Sequence, residues 1–261
     1  MRVGFIGFAV LAVISSVVAE SPLVTVNVIV TTNTVADADA DERAAAEAAK
    51  RAARAAAARK RSSVVIRQLI ADMKSVPGKA YVLGRTEVTV EQWHSVMKPD
   101  VPFVGNGNLP VSGVSWDDCQ DFIKSLNERE EAVAEKLSFR LPTVKEWKHA
   151  CLAGAKGKWG YVSDKVAGQL DTMGWYAGNS GSRRAAVAQK TPNAWGFYDM
   201  HGNVFEWCTD TSPEYGGDYR VRVGGSFRSP AEHCTSRFSN SANRTFSRYD
   251  DQGLRLLAEQ H

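Results

Sequence analysis

Apolar side chains fall at helical spacing in several stretches of the chain. Ile66, Leu69, Ile70 and Met73 share one face of the run from Val64 to Met73, which predicts a short amphipathic helix. Cys119, Phe122, Ile123 and Leu126 stand at i, i+3, i+4 and i+7, behind Ser115 as cap and Asp117 and Asp118 in the first turn. Thr143 precedes another helix, Val144 to Ala153, and Glu146 completes a capping box, with Trp147 and Cys151 on one face. Thr89 is placed to cap a helix running to Met97 that buries Trp93.

Alternation marks the strands. Val24, Val26, Val28 and Val30 lie in step within Ser21 to Val35, a strand or an extended linker. Tyr81 to Val90 reads as a strand broken at Gly84, YRVRVGGSF from Tyr219 is strand-like, and QGLRLL from Gln252 reads as a closing strand. Pro99 to Leu109 and most of Gly154 to Lys190 carry loop residues, with short strands in the second. The stretch from Asn193 to Asp210 fits neither period. Its dense aromatics predict an irregular, buried loop whose backbone polar groups need partners such as a metal ion, water or side-chain amides.

Ala36 to Arg61 is Ala-rich, with acids first and bases last. Asp41 to Arg61 should therefore be helical, yet without large apolar residues it is expected to serve as a solvated spacer. Met1 to Ala19 has the three-part pattern of a secretory signal, with cleavage near Ala19 and no stable membrane span in the mature chain. The expected organisation is a signal at 1–19, an extended segment and spacer helix at 20–63, and one domain at 64–261. At 261 residues and 44% hydrophobic, the chain can bury a full core. A net charge of +3, with its excess confined near Arg51 to Arg61, excludes nucleic acid as the main partner. An oxidising compartment would allow the four cysteines to pair in any of three ways.

Several motifs stand in one order: GRTEVTVEQW (84–93), PVSGVSWDDCQDF (110–122), RLPTVKEWKHA (140–150), PNAWGFYDMHGNVFEWCTD (192–210), RVGGSF (222–227), CTSR (234–237) and GLRL (253–256). In these the chain resembles the formylglycine-generating enzyme, or sulfatase-modifying factor, family over roughly Val76 to Leu257. The resemblance implies an α+β fold: a compact, loop-rich domain related to C-type lectins, low in regular secondary structure, here preceded by the Ala-rich helix. It implies calcium held by Asp199 and Glu206 side chains and the Gly202 and Val204 carbonyls, an oxygen-only set that suits this ion.

The family's oxidases bind copper(I) through two cysteines after the GGS motif. Ser229 occupies the first position here and Cys234 the second, so the soft thiolate pair is missing and copper is not expected. Residual chemistry would fall to Cys234 and Ser226, and His233 beside Cys234 is a further candidate. The expected disulfide joins Cys234 to Cys208 or Cys151, leaving Cys119 as a buried thiol. Two functions remain open. One is a non-copper, repurposed domain binding a protein, peptide or glycan outside the cytoplasm, secreted or periplasmic, through Arg228, Ser229, His233, Arg237, Asn240, Asn243 and Arg244. Some relatives diversify this segment to change ligand. The other is an extracytoplasmic oxidoreductase modifying a protein or peptide side chain.

Overall fold

The computed structural model describes residues 35–157 and 168–261. The expected signal at 1–19, its cleavage point and the strand or linker from Ser21 lie outside the described residues. The chain divides into two units, Met1–Ala45 and Ala46–His261. Of the first, the described part is helical.

The spacer helix and the amphipathic helix expected after it are one element, α1 (Val35–Ala71), 37 residues long. The boundary drawn between 63 and 64 thus falls inside a continuous helix. From Ala46 onward the helix is no mere spacer. Ala58, Ser62, Ile66 and Leu69 are buried, at successive steps of four, four and three. Small residues provide the first half of that stripe, which is why a search for large apolar residues misses it. Ser62 Oγ donates to the Pro99 carbonyl (3.2 Å), and Arg61 pairs with Glu91 (2.7 Å).

Three capped helices form where local signals place them. In α2 (Val90–Met97), Thr89 accepts from Gln92 N and Gln92 closes back on the cap; α3 (Trp116–Asn127) uses Ser115 and Asp118 in the same way. Trp93 stacks on Phe122, with ring centroids 4.7 Å apart. Two short elements follow: α4 (Glu130–Ala134) and the strand Leu137–Arg140. Next comes α5 (Val144–Leu152), capped by Thr143 with Glu146, and Trp147 and Cys151 are buried on it as expected. A further short helix, α6 (Gln169–Met173), sits in the segment expected to hold loops and strands.

Among the described residues, two four-stranded sheets complete the domain. The first contains β1 (Met73–Ser75), β2 (Tyr81–Gly84), β3 (Leu137–Arg140) and β8 (Leu257–Gln260) in the order β1-β2-β8-β3, all antiparallel. The second contains β4 (Phe205–Ser212), β5 (Gly216–Val223), β6 (Ser239–Asn243) and β7 (Gln252–Gly253) in the order β6-β5-β4-β7. The predicted single closing strand is therefore split between the sheets, and Leu254 to Leu256 links them.

The aperiodic stretch is also corrected. Asn193 to Val204 is irregular, but Phe205 onward is the internal strand β4. Phe205, Glu206, Trp207 and Cys208 are all buried. Trp207 belongs to one apolar core, with Phe122, Leu126 and Leu254, and Cys208 to a second, with Trp147, Phe197 and Val223. A strand buried on both faces loses the alternation that would announce it.

Candidate functional site

Between the two sheets, Arg255 is fully buried and meets Glu206 side-on. Arg255 Nη2 and Nε donate to Glu206 Oε1 (2.7 and 3.1 Å), and Nε also reaches Oε2 (2.9 Å). Trp147 Nε1 donates to Oε2 as well (2.5 Å). The rest of the guanidinium donates to the carbonyls of Gly84 (3.0 Å) and Tyr198 (2.8 Å). One side chain thus ties together the end of β2, the irregular stretch before β4, and β4 itself.

Glu87, which the sequence reading did not single out, is the second anchor. Its carboxylate accepts from Val204 N (3.0 Å) and Asn203 Nδ2 (2.9 Å). Asn203, with φ at 62°, uses its Oδ1 to accept from Ala185 N (2.9 Å). Side-chain amides and carboxylates therefore supply the partners that the backbone of this stretch needs.

Calcium does not fit this arrangement. Glu206 has both oxygens closed by Arg255 and Trp147, and the guanidinium already brings the positive charge a cation would bring. Asp199 Oδ2 accepts from Ala188 N (2.8 Å), which leaves Oδ1 alone as a buried, unpartnered oxygen. One free carboxylate oxygen beside the Gly202 and Val204 backbone falls short of the six to eight oxygens calcium takes. Among the described residues, no group of three or more His, Cys, Asp and Glu is arranged to hold a metal ion.

Burial raises the Asp199 carboxyl to about 6, against the opposing effects of the Ala188 amide and Arg255. Glu87 is pushed well above its ordinary value by burial and then by Asp199 and Glu206. Below about pH 4 the Asp199 carboxyl is protonated in folded and unfolded chains alike. Between there and about 6 only the folded chain keeps the proton, so stability falls as pH rises through that window and stays low above it. Asp199→Asn should therefore raise unfolding free energy at pH 8 by about 2–3 kcal/mol and flatten this part of the profile. Urea titrations between pH 4 and 8 check this; a steeper profile in the variant would refute it.

The GGS stretch leads from the end of β5 into a turn. Ser226 Oγ donates to Asp251 Oδ2 (2.8 Å), and Ser229 Oγ accepts from Ser226 N (3.0 Å) and lies 3.1 Å from Ser226 Oγ. Ser229 is a turn-closing residue with no hydroxyl to spare for a ligand. Cys234 is fully buried, its Sγ donating to the Ser226 carbonyl (3.8 Å), and burial pushes the thiol up to about 12. Cys234 and Ser226, the candidates for residual chemistry, are thus both buried, and burial favours the protonated form of the Cys234 thiol. The expected disulfide is corrected, since all four cysteines are free and buried. His201 Nδ1 donates to the Cys234 carbonyl (2.9 Å), and its Nε2 lies 3.7 Å from Cys151 Sγ.

The sequence pattern of the Sulfatase-modifying factor enzyme 1-like domain matches residues 50–260. The chain belongs to this family. It is 24% identical over 234 residues to Chaperone protein LppX of Paenibacillus barcinonensis, covering 70% of this chain and 82% of that protein. It is 28% identical over 167 residues to the formylglycine-generating enzyme of Mus musculus, covering 54% of this chain but only 41% of the enzyme. Among solved structures, Treponema denticola variable protein 1 is similar at 29% identity and a TM-score of 0.58, over 69% of this chain and 84% of that one. The α+β fold is that of the family.

In this sulfatase-modifying-factor domain, the residues expected to form a binding surface separate into two groups. Ser229 is buried, His233 stacks on Phe238 (centroids 4.0 Å apart), and Asn243 Oδ1 accepts from Thr245 N and Phe246 N (both 3.0 Å) to build a turn. Arg228, Arg237 and Asn240 are exposed, and Arg244 is half-buried. The turn that Asn243 builds holds out Phe246, 82% exposed, with Tyr249 at 55% close behind in the chain. Neither aromatic was singled out from sequence. Aspartates hold the neighbouring guanidinium groups: Arg244 on Asp117 (2.6 Å), Arg248 on Asp118 (2.8 Å) and Arg228 on Asp250 (2.7 Å). Among the described residues, no helix is long and apolar enough to cross a membrane.

Proposed function

We propose that this chain is an extracytoplasmic, non-copper member of the sulfatase-modifying factor family that binds a protein, peptide or glycan ligand. The surface is the segment from Arg244 to Asp250 with Arg228. The carrying observation is Phe246 held 82% exposed beside aspartate-fixed arginines. Aromatic and Arg side chains supply most of the energy at binding surfaces, and here two exposed aromatics stand in one segment with arginines that aspartates hold in place. The inward-turned Ser229 and buried Cys234 support the loss of the copper site. The signal-like Met1 to Ala19 supports a secreted or periplasmic location.

Binding arrays of peptides and glycans, probed with the purified chain, test the reading. Phe246→Ser with Tyr249→Ser should weaken captured ligands at least about tenfold, while the melting temperature stays within ~2 °C because both side chains are exposed. Calcium and copper(I) should leave the melting temperature unmoved. Stoichiometric copper(I) binding with oxygen uptake on a Cys-containing peptide would establish the oxidoreductase instead.

A further inference from the structure

A cavity of about 740 Å³ lies between the start of β2 and α5, and plays no part in the binding surface above. That is the size of a small-molecule site rather than of a single ion. Lys79, Tyr81, Lys145, Lys148 and His149 line it, with Val144 and Leu152 as apolar wall.

Its charges do not cancel. Glu146 and Asp210 also line the cavity, but Glu146 is paired with Arg140, so three lysines stand against the one uncompensated carboxylate of Asp210. Glu146 accepts from Arg140 Nη2 (2.7 Å) and Nη1 (2.8 Å) and from Thr143 N (2.8 Å). Asp210 Oδ2 accepts from Val144 N (2.8 Å). Lys79, Lys145 and Lys148 enter none of the ion pairs among the described residues. The Tyr81 hydroxyl is enclosed and has no hydrogen-bond partner, a state that disfavours the free protein and that an acceptor in the cavity would relieve.

We propose that this cavity binds a tetrahedral oxyanion, the phosphate or sulfate group of a small ester, through Lys79, Lys145, Lys148 and a hydrogen bond from Tyr81 Oη. Lysines act on such groups as mobile point charges, which suits an oxyanion entering an open cavity better than rigid, planar recognition would. The apolar wall of Val144 and Leu152 faces the carbon part of the ester. His149, another lining residue, packs edge-on against Trp195 with ring centroids 5.0 Å apart.

Melting temperatures of the full chain in inorganic phosphate, inorganic sulfate and chloride at one ionic strength, with calorimetric titration of phosphate and sulfate, test the site. Phosphate or sulfate should raise the melting temperature saturably. Tyr81→Phe should weaken the binding about tenfold, the loss of one hydrogen bond to a charged group. Lys145→Gln with Lys148→Gln should abolish it while melting like the parent in chloride. A response to one anion only keeps the proposal and says which ester the cavity takes. No response, or an equal rise in parent and variants, which is general exclusion of these salts from the surface, overturns it.

Discussion

Replacing Arg255 with Met should destabilise the domain by about 3–5 kcal/mol, the range for a buried ion pair broken from one side. The substitution strands Glu206 without a counter-charge and leaves the Gly84 and Tyr198 carbonyls without their donor. Its companion decides the mechanism. If stranded charge is the main effect, Arg255→Met with Glu206→Gln should recover a substantial part of the loss, since the amide still accepts from Trp147 and carries no charge. Urea midpoints of the parent, both single variants and the double variant measure the coupling. Additive losses would mean that Glu206 and Arg255 act separately, through packing alone.

Gly202→Ala is expected to have a similar effect, roughly 3–5 kcal/mol, for a reason confined to the backbone. Gly202 has φ at 112°, where an L side chain is strained. An added Cβ would also run into the Trp175 carbonyl, which is held in place because it accepts from Asn203 N (2.7 Å). Neither the glycine nor the carbonyl can yield without breaking that bond. Thermal melts will show this as a large drop. Gly217→Ala, with open space around the new methyl group, should change little and serves as the control.

These two sites show how far the chain could be read unaided. The capped helices α2, α3 and α5 were legible because everything that makes them is local: a cap, a partner three residues on, and an apolar stripe. The family was legible because its motifs keep their order. The charge centre was not. Arg255 stands in GLRL, which reads as a strand, and its partners lie 49, 57 and 171 residues away. Nothing in the local pattern says that a guanidinium will take the place where an oxygen-lined loop otherwise suggests a cation. Strand β4 was hidden by burial on both faces, and the packing half of α1 by the smallness of Ala58 and Ser62. At the surface, Asn243 read as a ligand contact, yet its Oδ1 shapes the turn beneath Phe246. Residue type alone does not tell a side chain that shapes a turn from one that faces outward.

The place of β8 bears on how this domain forms. It lies between β2 and β3, aligning Leu83 and Arg140 with the same Leu257. Those neighbours belong to parts of the chain made far earlier, so the first sheet cannot zip from local hairpins alone. Long loops must close before its inner strand gains any partner, and such non-local closure slows folding to the millisecond-to-second range typical of sheet-rich domains. Until that happens β2 and β3 each keep an unpaired edge, and this waiting period is when the chain is most open to capture by another strand or by a chaperone.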